Sequence, residues 1–403
     1  MAKALLLALA LAALLLAAPA AARQLAHART QEGEQVRFDY RYEGHDRRPH
    51  AVSFRLPAAS VRSALQAFKP FDAKALRSAQ NAAQMQVLRD EVATLRQRFP
   101  DATLRLQESD GGWGITYAID VKGAAQESFR QALDIVREEA RAVEREHPGI
   151  RVSVGDAGDV RWQGRADAEA QRRIDQRMRD AVRRAEAQHK RDSAGAQSEA
   201  RQQKGAIAGA LDRAVAEARR RGEERRADYL AERRYTTMGG KVILPDYARM
   251  AREGVADLAP SLPDWKRHLD GLDARQRIGR LLAFFQAIPY DQLQDARTSN
   301  AAGFAVPAAM LQLNRGDCDT KAVAFASLLR LVDPQVPIVM VLLDRHALLG
   351  LGIPAAKGER TIAWQGRSYV LVEPVGPALS AIGEIGPETR RQIGGRKDVI
   401  ALF

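Results

Sequence analysis

The sequence predicts an α+β protein in three parts: a small α+β domain from about 33 to 163, a helical segment from about 165 to 235, and a second α+β domain from about 240 to 403. Helical and strand periods alternate along the first part. The second part changes abruptly to Ala, Arg, Glu and Gln and contains no proline. In the third part, a helical pattern at the only cysteine precedes a strand-rich run. Each α+β part needs its own packed core.

Residues 1–22 have the features of a cleavable export signal. Lys3 provides a basic start, Leu5–Leu16 is an Ala/Leu run, and Ala20–Ala22 offers a small-residue cleavage site. The apolar run is short for a membrane span, and no cysteine near the cleavage site could carry a lipid anchor. These features predict a periplasmic or secreted protein with no membrane span in the mature chain.

The chain is basic, with a formal net charge of +12 and an isoelectric point near 10.0. Its arginines are interleaved with Asp and Glu on helix faces, which indicates a solvated surface. No zinc finger, aromatic-and-basic RNA motif or DNA-binding helix pair accompanies them, so no nucleic-acid partner is expected. Binding of an acidic polymer by the helical segment stays open. A single cysteine excludes a disulfide scaffold, and no pattern specifies the oligomeric state.

The first part begins with two strands, at 35–42 and 51–56, joined by a polar turn. His45 and His50 lie in this turn; they are candidate metal ligands, but no third ligand is near, and a loop role is preferred. Trp113 and Trp162 are interpreted as packing residues. The predicted elements that follow are a helix at 85–99, a hairpin of strands 103–107 and 114–121 turning at Asp110–Gly112, a helix at 129–143, and strands at 150–154 and 160–162.

The helical segment carries two apolar stripes, Ile174–Val182 and Ile207–Val215. Asp192–Gly195 weakens the helix between them, which favours two helices arranged as a hairpin or as one interrupted stalk. The seam is mostly alanine, so spacing or packing between domains is the preferred role.

The last part contains a helix around Arg275–Phe285, a second at the cysteine, and four strands. The strands are predicted at 338–343, 346–353, 361–364 and 368–372. Met238–Val242 lacks the first glycine and the final Ser/Thr of a phosphate-binding loop, so it predicts a turn.

Cys318 follows the turn Gly316–Asp317, and Asp319–Thr320 can start a helix with a buried face. A thiol at a helix N-terminus is favoured in its thiolate form. A lone cysteine can equally be an unreactive core residue. The residues that follow favour chemistry.

His346 heads one predicted strand and Glu373 ends the next. Adjacent strands lie about 5 Å apart, so a His and a Glu on the same side can reach hydrogen-bond distance. Cysteine, histidine and carboxylate, in this order, are the parts of a thiol nucleophile, its base and the group that orients the base.

These segments resemble the transglutaminase-like superfamily, whose fold is related to papain. Gly316–Arg330 is similar to its cysteine helix, Arg345–Ala347 to its histidine strand, and Leu371–Gly376 to its acid-Pro motif. Phe284–Tyr290 is similar to the helix-and-tyrosine segment that precedes the cysteine in bacterial members. The resemblance covers the last 160 or so residues and implies Cys318, His346 and Glu373 as catalytic residues. The family usually has aspartate where this chain has Glu373.

By analogy with papain-like enzymes, the amide of Gln286 is a candidate oxyanion donor, although a helix-surface role is also open. Asp317 and Asp319 are interpreted as turn and cap residues.

The preferred hypothesis is an exported cysteine enzyme that attacks a peptide or carboxamide carbonyl through a thioester, with hydrolysis favoured over amine transfer. Its partner would be a protein or peptide substrate, possibly envelope-associated, and no cofactor or metal is expected. The alternative is a non-catalytic envelope interaction or scaffold protein that retains the fold. A metal hydrolase is disfavoured because no His-Glu-x-x-His run is present.

Overall fold

The computed structural model describes residues 21–109, 112–295 and 303–403, and it mixes helices and strands in an α+β arrangement. The predicted signal segment, apart from Ala21 and Ala22, and most of the predicted turn at Asp110–Gly112 lie outside the described residues. The chain divides into two compact units. One unit combines Met1–Ala73 with Ala227–Phe403, and the other is Lys74–Arg226. This division differs from the three consecutive parts that the sequence predicts.

The first unit starts with an antiparallel three-stranded sheet of β1 (Gln24–Glu32), β2 (Gln35–Glu43) and β3 (Pro49–Pro57), followed by helix α1 (Ala58–Ala67). Strands β2 and β3 lie where the alternation predicts them. Strand β1 was not predicted, because as an edge strand it buries almost nothing and shows no apolar alternation.

The aromatic face of this sheet packs on helices from the other end of the chain. The Tyr40 ring lies 4.9 Å from that of Phe284, and the Phe54 ring lies 5.3 Å from that of Trp265. The hydroxyl of Tyr40 donates to the carbonyl of Leu311 at 3.1 Å. The prediction of one domain at 33–163 therefore joins strands and helices that belong to different units. Strand alternation shows that a face is buried, but it does not show which elements cover that face.

The second unit consists of two helix-plus-hairpin pairs that pack along one long helix. Its elements are α2 (Ala73–Arg98), β4 (Ala102–Ser109), β5 (Gly112–Ile119), α3 (Lys122–Glu146), β6 (Arg151–Val154), β7 (Val160–Gln163) and α4 (Ala168–Glu232). The first pair packs on the C-terminal half of α4 around Ile207 and Leu211, and the second packs on the N-terminal half around Ile174 and Met178. Trp113 and Trp162 both pack against these cores.

Helix α4 runs without a break through Asp192–Gly195, where the sequence predicts an interruption. Asp192 accepts hydrogen bonds from the Gln188 amide at 2.9 and 3.0 Å, one helical turn earlier. The Ser193 hydroxyl likewise lies 3.3 Å from the His189 ring. Polar contacts at this spacing support the helix across a weak stretch. The hairpin or interrupted stalk is therefore wrong, and the segment forms a single helix.

The rest of the first unit places a five-stranded sheet beside a group of helices. Its elements are β8 (Tyr235–Met238), β9 (Val242–Pro245), α5 (Tyr247–Leu258), the 3-10 turn Ala259–Ser261, α6 (Leu262–His268), α7 (Ala274–Ala287), α8 (Pro307–Leu313), α9 (Cys318–Val332), β10 (Ile338–Leu342), β11 (Ala347–Leu351), β12 (Thr361–Trp364), β13 (Arg367–Val372), α10 (Pro387–Gln392) and β14 (Asp398–Ala401). The antiparallel sheet has the order β12-β13-β11-β10-β14, so β11 and β13 are neighbours although β12 lies between them in the chain.

Helix α9 lies in the core of this unit, and all residues from Thr320 to Leu329 are buried. The sequence predicted a single buried face. Helix α5 lies against one side, where the Ser327 hydroxyl donates to the Ala251 carbonyl at 3.0 Å. A Cβ on Gly254 would lie 2.6 Å from that hydroxyl, so only glycine permits this close approach. Across residues 21–109, 112–295 and 303–403, no helix combines the length and apolar character that a membrane crossing requires.

Candidate functional site

Cys318 is the first residue of α9, and Asp317 caps that helix by accepting from the Thr320 amide at 3.2 Å. The buried helix behind it holds the thiol in a fixed position. An N-cap carboxylate is typical of this place in a helix.

The segment before the cysteine is held by its main chain and by tight packing. The Gly316 amide donates to the Pro289 carbonyl at 3.2 Å, and the Asp291 amide donates to the Gly316 carbonyl at the same distance. A Cβ on Gly316 would lie 2.8 Å from Thr320 Cγ2, so glycine is required by space. This pairing places Tyr290, which is 50% exposed, beside the cysteine turn.

The electrostatic environment of the thiol is the opposite of the sequence expectation. Burial, followed by the carboxylates of Asp319 and Asp317, raises the pKa of Cys318 to about 12. Hydrogen bonds from the backbone of Ala347 and Asp319 act in the other direction but are weaker. Burial and two nearby negative charges therefore outweigh the helix N-terminus, and the thiol is protonated at neutral pH.

Other ionisable groups around the thiol are also perturbed. Burial, reinforced by Asp319, raises the pKa of Asp317 to about 8. Lys321 is fully buried, its amine donates to the Ile288 carbonyl, and burial lowers its pKa to about 7 although Asp317 acts against this. The Tyr247 hydroxyl donates to Asp319 at 2.7 Å. Strongly perturbed groups of this kind are common in functional sites, but buried structural networks also produce them.

His346 and Glu373 lie at hydrogen-bond distance, with Nε2 of the ring 3.2 Å from Oε1 of the carboxylate. His346 immediately precedes β11 and Glu373 immediately follows β13. Those strands are antiparallel neighbours with Leu349 opposite Val372, so the start of one lies beside the end of the other. The strand spacing in the sequence argument anticipates this contact.

Glu373 is only 6% exposed, and its carboxylate oxygens are fully engaged. Oε2 accepts from the Gly386 amide at 3.0 Å, and Oε1 accepts from the Thr389 hydroxyl as well as from His346. Burial alone would raise the pKa of Glu373, but the hydrogen bonds from His346, Thr389 and Gly386 together hold it below its ordinary value. The group is therefore an ionised carboxylate, and Nε2 of His346 must carry the hydrogen between them.

Cys318 approaches this pair through the main chain. Its thiol is hydrogen-bonded to the backbone of Ala347, the residue directly after His346. Helix α9 and strand β11 are packed against each other. The three residues named from the sequence thus come from one helix and two adjacent strands of the same unit.

Gln286 is buried at the end of α7, and both of its amide hydrogens are used. They are donated to the Glu373 carbonyl at 2.8 Å and to the Ser380 carbonyl at 2.9 Å. No amide hydrogen is left for an oxyanion, and the residue is not on the helix surface. This geometry instead links α7 to the backbone of Glu373.

A cavity of about 340 Å³ opens beside the His–Glu pair. It is lined by Arg345, His346, Glu373, the segment Val375–Ala378, and residues of the last helix. A second cavity, of about 630 Å³, borders Tyr290 and the turn Asn314–Arg315 that leads to the cysteine. Open space is therefore available on both sides of the chain segments that carry the candidate residues.

Four contributors to the site were not anticipated: Gly386, Thr389, Ser380 and His45. Gly386 and Thr389 hold the carboxylate of Glu373 from a short helix that shows no helical periodicity of its own. Nε2 of His45 lies 3.2 Å from the Gln286 side-chain oxygen and 3.0 Å from the Ser380 carbonyl. His45 thus has hydrogen-bond partners, and its turn does not form a metal site with His50, which pairs with Asp46. No sequence signal identifies contacts across such separations.

No group of three or more His, Cys, Asp or Glu side chains is arranged to hold a metal ion in the described parts of the chain. No protein-family model matches the sequence, and neither a curated protein nor a solved structure is significantly similar to it.

Proposed function

We propose that this chain is an exported, transglutaminase-like cysteine enzyme with a papain-related fold, and that it acts on a peptide or carboxamide carbonyl. One observation carries the proposal: Nε2 of His346 faces Glu373 at 3.2 Å, while the Cys318 thiol is hydrogen-bonded to the residue next to that histidine. With Nε2 engaged by the carboxylate, Nδ1 is the ring nitrogen available to a thiol proton.

In the first step, the sulfur of Cys318 attacks the carbonyl carbon and its proton passes to Nδ1 of His346. Glu373 stabilises the imidazolium that forms. The tetrahedral intermediate collapses as the carbon–nitrogen bond breaks, and the leaving amine takes the proton from His346. The acyl group is now held as a thioester. A thiol that is protonated at rest fits general-base catalysis better than a preformed thiolate.

In the second step, a nucleophile attacks the thioester, gives its proton to His346 and releases Cys318 as a thiol. Water as nucleophile gives hydrolysis, and a primary amine gives acyl transfer. Hydrolysis is favoured because the open cavity of about 340 Å³ beside the pair admits water and no separate amine site has to be assumed. Incubation with casein and a fluorescent primary amine distinguishes them: new chain ends indicate hydrolysis, and incorporated label indicates transfer.

The test of the nucleophile and base is the rate at which iodoacetamide labels Cys318, the chain's only cysteine. His346→Ala should label at least about tenfold more slowly than wild type at neutral pH, because general-base assistance contributes factors of this order or more. His147→Ala is the control, since His147 ends helix α3 in the other unit. Equal rates for wild type and His346→Ala would contradict the proposal.

The second candidate function is a non-catalytic envelope interaction or scaffold protein. The specific observation in its favour is the pKa of Cys318, raised to about 12 by burial and two carboxylates, which is typical of an unreactive thiol. In that case a strain carrying Cys318→Ala should have every phenotype of the wild type. Loss of any phenotype, with normal protein levels, would support the enzyme instead.

A further inference from the structure

The turn between β2 and β3 reaches the candidate site from the opposite end of the chain. Nε2 of His45 lies 3.0 Å from the Ser380 carbonyl and 3.2 Å from the side-chain oxygen of Gln286. Both partners are acceptors, so Nε2 of His45 must carry a hydrogen. Burial lowers the pKa of His45, while the bonds to Gln286 and Ser380 oppose that change. The ring is therefore a neutral donor at neutral pH.

Gln286 passes this contact to Glu373. Its amide nitrogen donates to the Glu373 carbonyl at 2.8 Å and to the Ser380 carbonyl at 2.9 Å. A glutamine amide turned by 180° would present its oxygen to both carbonyls, and two buried acceptors would lose their donors. The hydrogen of His45 on the amide oxygen favours the correct orientation.

The position of Glu373 depends on this support because the residue lies just outside its strand. Strand β13 ends at Val372, and the next helix begins only at Pro387. Hydrogen bonds from Gln286 therefore hold the backbone of Glu373, while Gly386 and Thr389 hold its carboxylate. A carboxylate that orients a catalytic ring requires such outer contacts to keep its geometry.

We infer that His45 is a positioning residue of the candidate active site, acting through Gln286 on Glu373 and so on the ring of His346. The inference rests on the proposed function for its catalytic meaning. It makes the N-terminal sheet a working part of the site, in addition to its packing on Phe284 and Trp265.

The direct test is ¹⁵N NMR of the full chain with labelled histidine, which reports the ring nitrogens of seven residues. The His346 signal is identified by its loss in His346→Ala, and Glu373→Gln supplies the position it takes when the carboxylate charge is absent. His45→Phe keeps a ring but removes the hydrogen, and should move the Nε2 signal of His346 toward its position in Glu373→Gln. His45→Gln, whose amide can take the place of Nε2, should leave the signal near the wild-type position.

A matched control lies in the same turn. His50 bonds only to Asp46 among its printed side-chain partners, at 2.8 Å, so His50→Phe should not move the His346 signal. An unmoved signal in His45→Phe, or an equal movement in His50→Phe, overturns the inference. If His45→Phe does not fold, Gln286→Met removes the same link from the other side and must give the same movement.

Iodoacetamide labelling separates this inference from the proposed function. His45→Phe should reduce the labelling rate of Cys318 about tenfold, with His45→Gln within about twofold of wild type. If wild type and His346→Ala label equally, the proposed enzyme fails, yet the NMR movement still decides whether His45 positions Glu373. If His346 does assist labelling but His45→Phe labels at the wild-type rate, the positioning role fails alone.

Discussion

Replacing Lys321 with methionine should stabilise the protein at neutral pH, although the lysine is hydrogen-bonded. Its side chain has no exposed surface, and its amine donates to the Ile288 carbonyl. Burial lowers the pKa of Lys321 from 10.5 to about 7. Folding at pH 7 therefore requires the loss of about half a proton and the burial of the rest, which the unfolded chain avoids.

The magnitude follows from the two pKa values. With 10.5 in the unfolded chain and about 7 in the folded chain, the penalty at pH 7 is about 4 kcal/mol. Methionine removes it but leaves the Ile288 carbonyl without its donor, at a cost of about 1–3 kcal/mol. The net expectation is a gain of about 1–3 kcal/mol in the free energy of unfolding.

The pH dependence has a definite sign. Between pH 7 and 10.5 the unfolded chain binds more protons at Lys321 than the folded chain, so this residue makes wild-type stability rise with pH in that window. Below pH 7 the penalty is complete. The difference between Lys321→Met and wild type should thus shrink by about 2 kcal/mol from pH 7 to pH 9. Asp317 also titrates there, but it is present in both chains.

The assay is urea unfolding of both chains at pH 7, 8 and 9. Lys397→Met is the control, because Lys397 donates to the Ile393 carbonyl at 3.0 Å while its amine is exposed. A difference between Lys321→Met and wild type that stays constant from pH 7 to pH 9 would refute the reasoning. So would a variant that is less stable than wild type at pH 7 by more than the lost hydrogen bond explains.

Three further results are expected. Gly316→Ala should lower the free energy of unfolding by about 1–3 kcal/mol in urea, because its Cβ would lie 2.8 Å from Thr320 Cγ2; an unchanged midpoint would mean that the turn yields easily. Phe54→Ala should lower it by about 3–5 kcal/mol and expose Cys318 to faster labelling in mild urea, since the sheet packs on the cysteine unit; loss of stability without faster labelling would argue against one cooperative unit. Because the folded pKa of Glu373 is below 4.5, its stabilisation is present above that pH and lost as the pH falls through the folded value. Glu373→Gln should therefore be less stable at pH 7, with a gap that closes on acidification, and a gap independent of pH would contradict this.

Local periodicity predicted most elements but not how they assemble. The strands at 35–42 and 51–56 and the helices at 85–99 and 129–143 lie within observed elements of the same type. Edge strand β1 was missed because it shows no alternation. The break at Asp192–Gly195 was expected from intrinsic propensity, which contacts one turn away override.

For the site, residue type and order indicated which side chains to examine, and their roles in catalysis remain a proposal. The contact of His346 with Glu373 follows from strand adjacency. The direction of the Cys318 pKa does not, because the helix-terminus argument omits burial and the neighbouring carboxylates. The donors of Gln286 were assigned to an oxyanion by analogy, whereas the fold uses them on carbonyls.

The sequence by itself determined the α+β class, the positions of most helices and strands, and the order in which cysteine, histidine and carboxylate occur. These depend on periodicity and residue type, which are local properties. Only the tertiary structure decided that the first three strands join the cysteine unit and that His45 lies behind Glu373. Those contacts join residues more than 200 positions apart, and no local pattern contains the information about which buried face meets which.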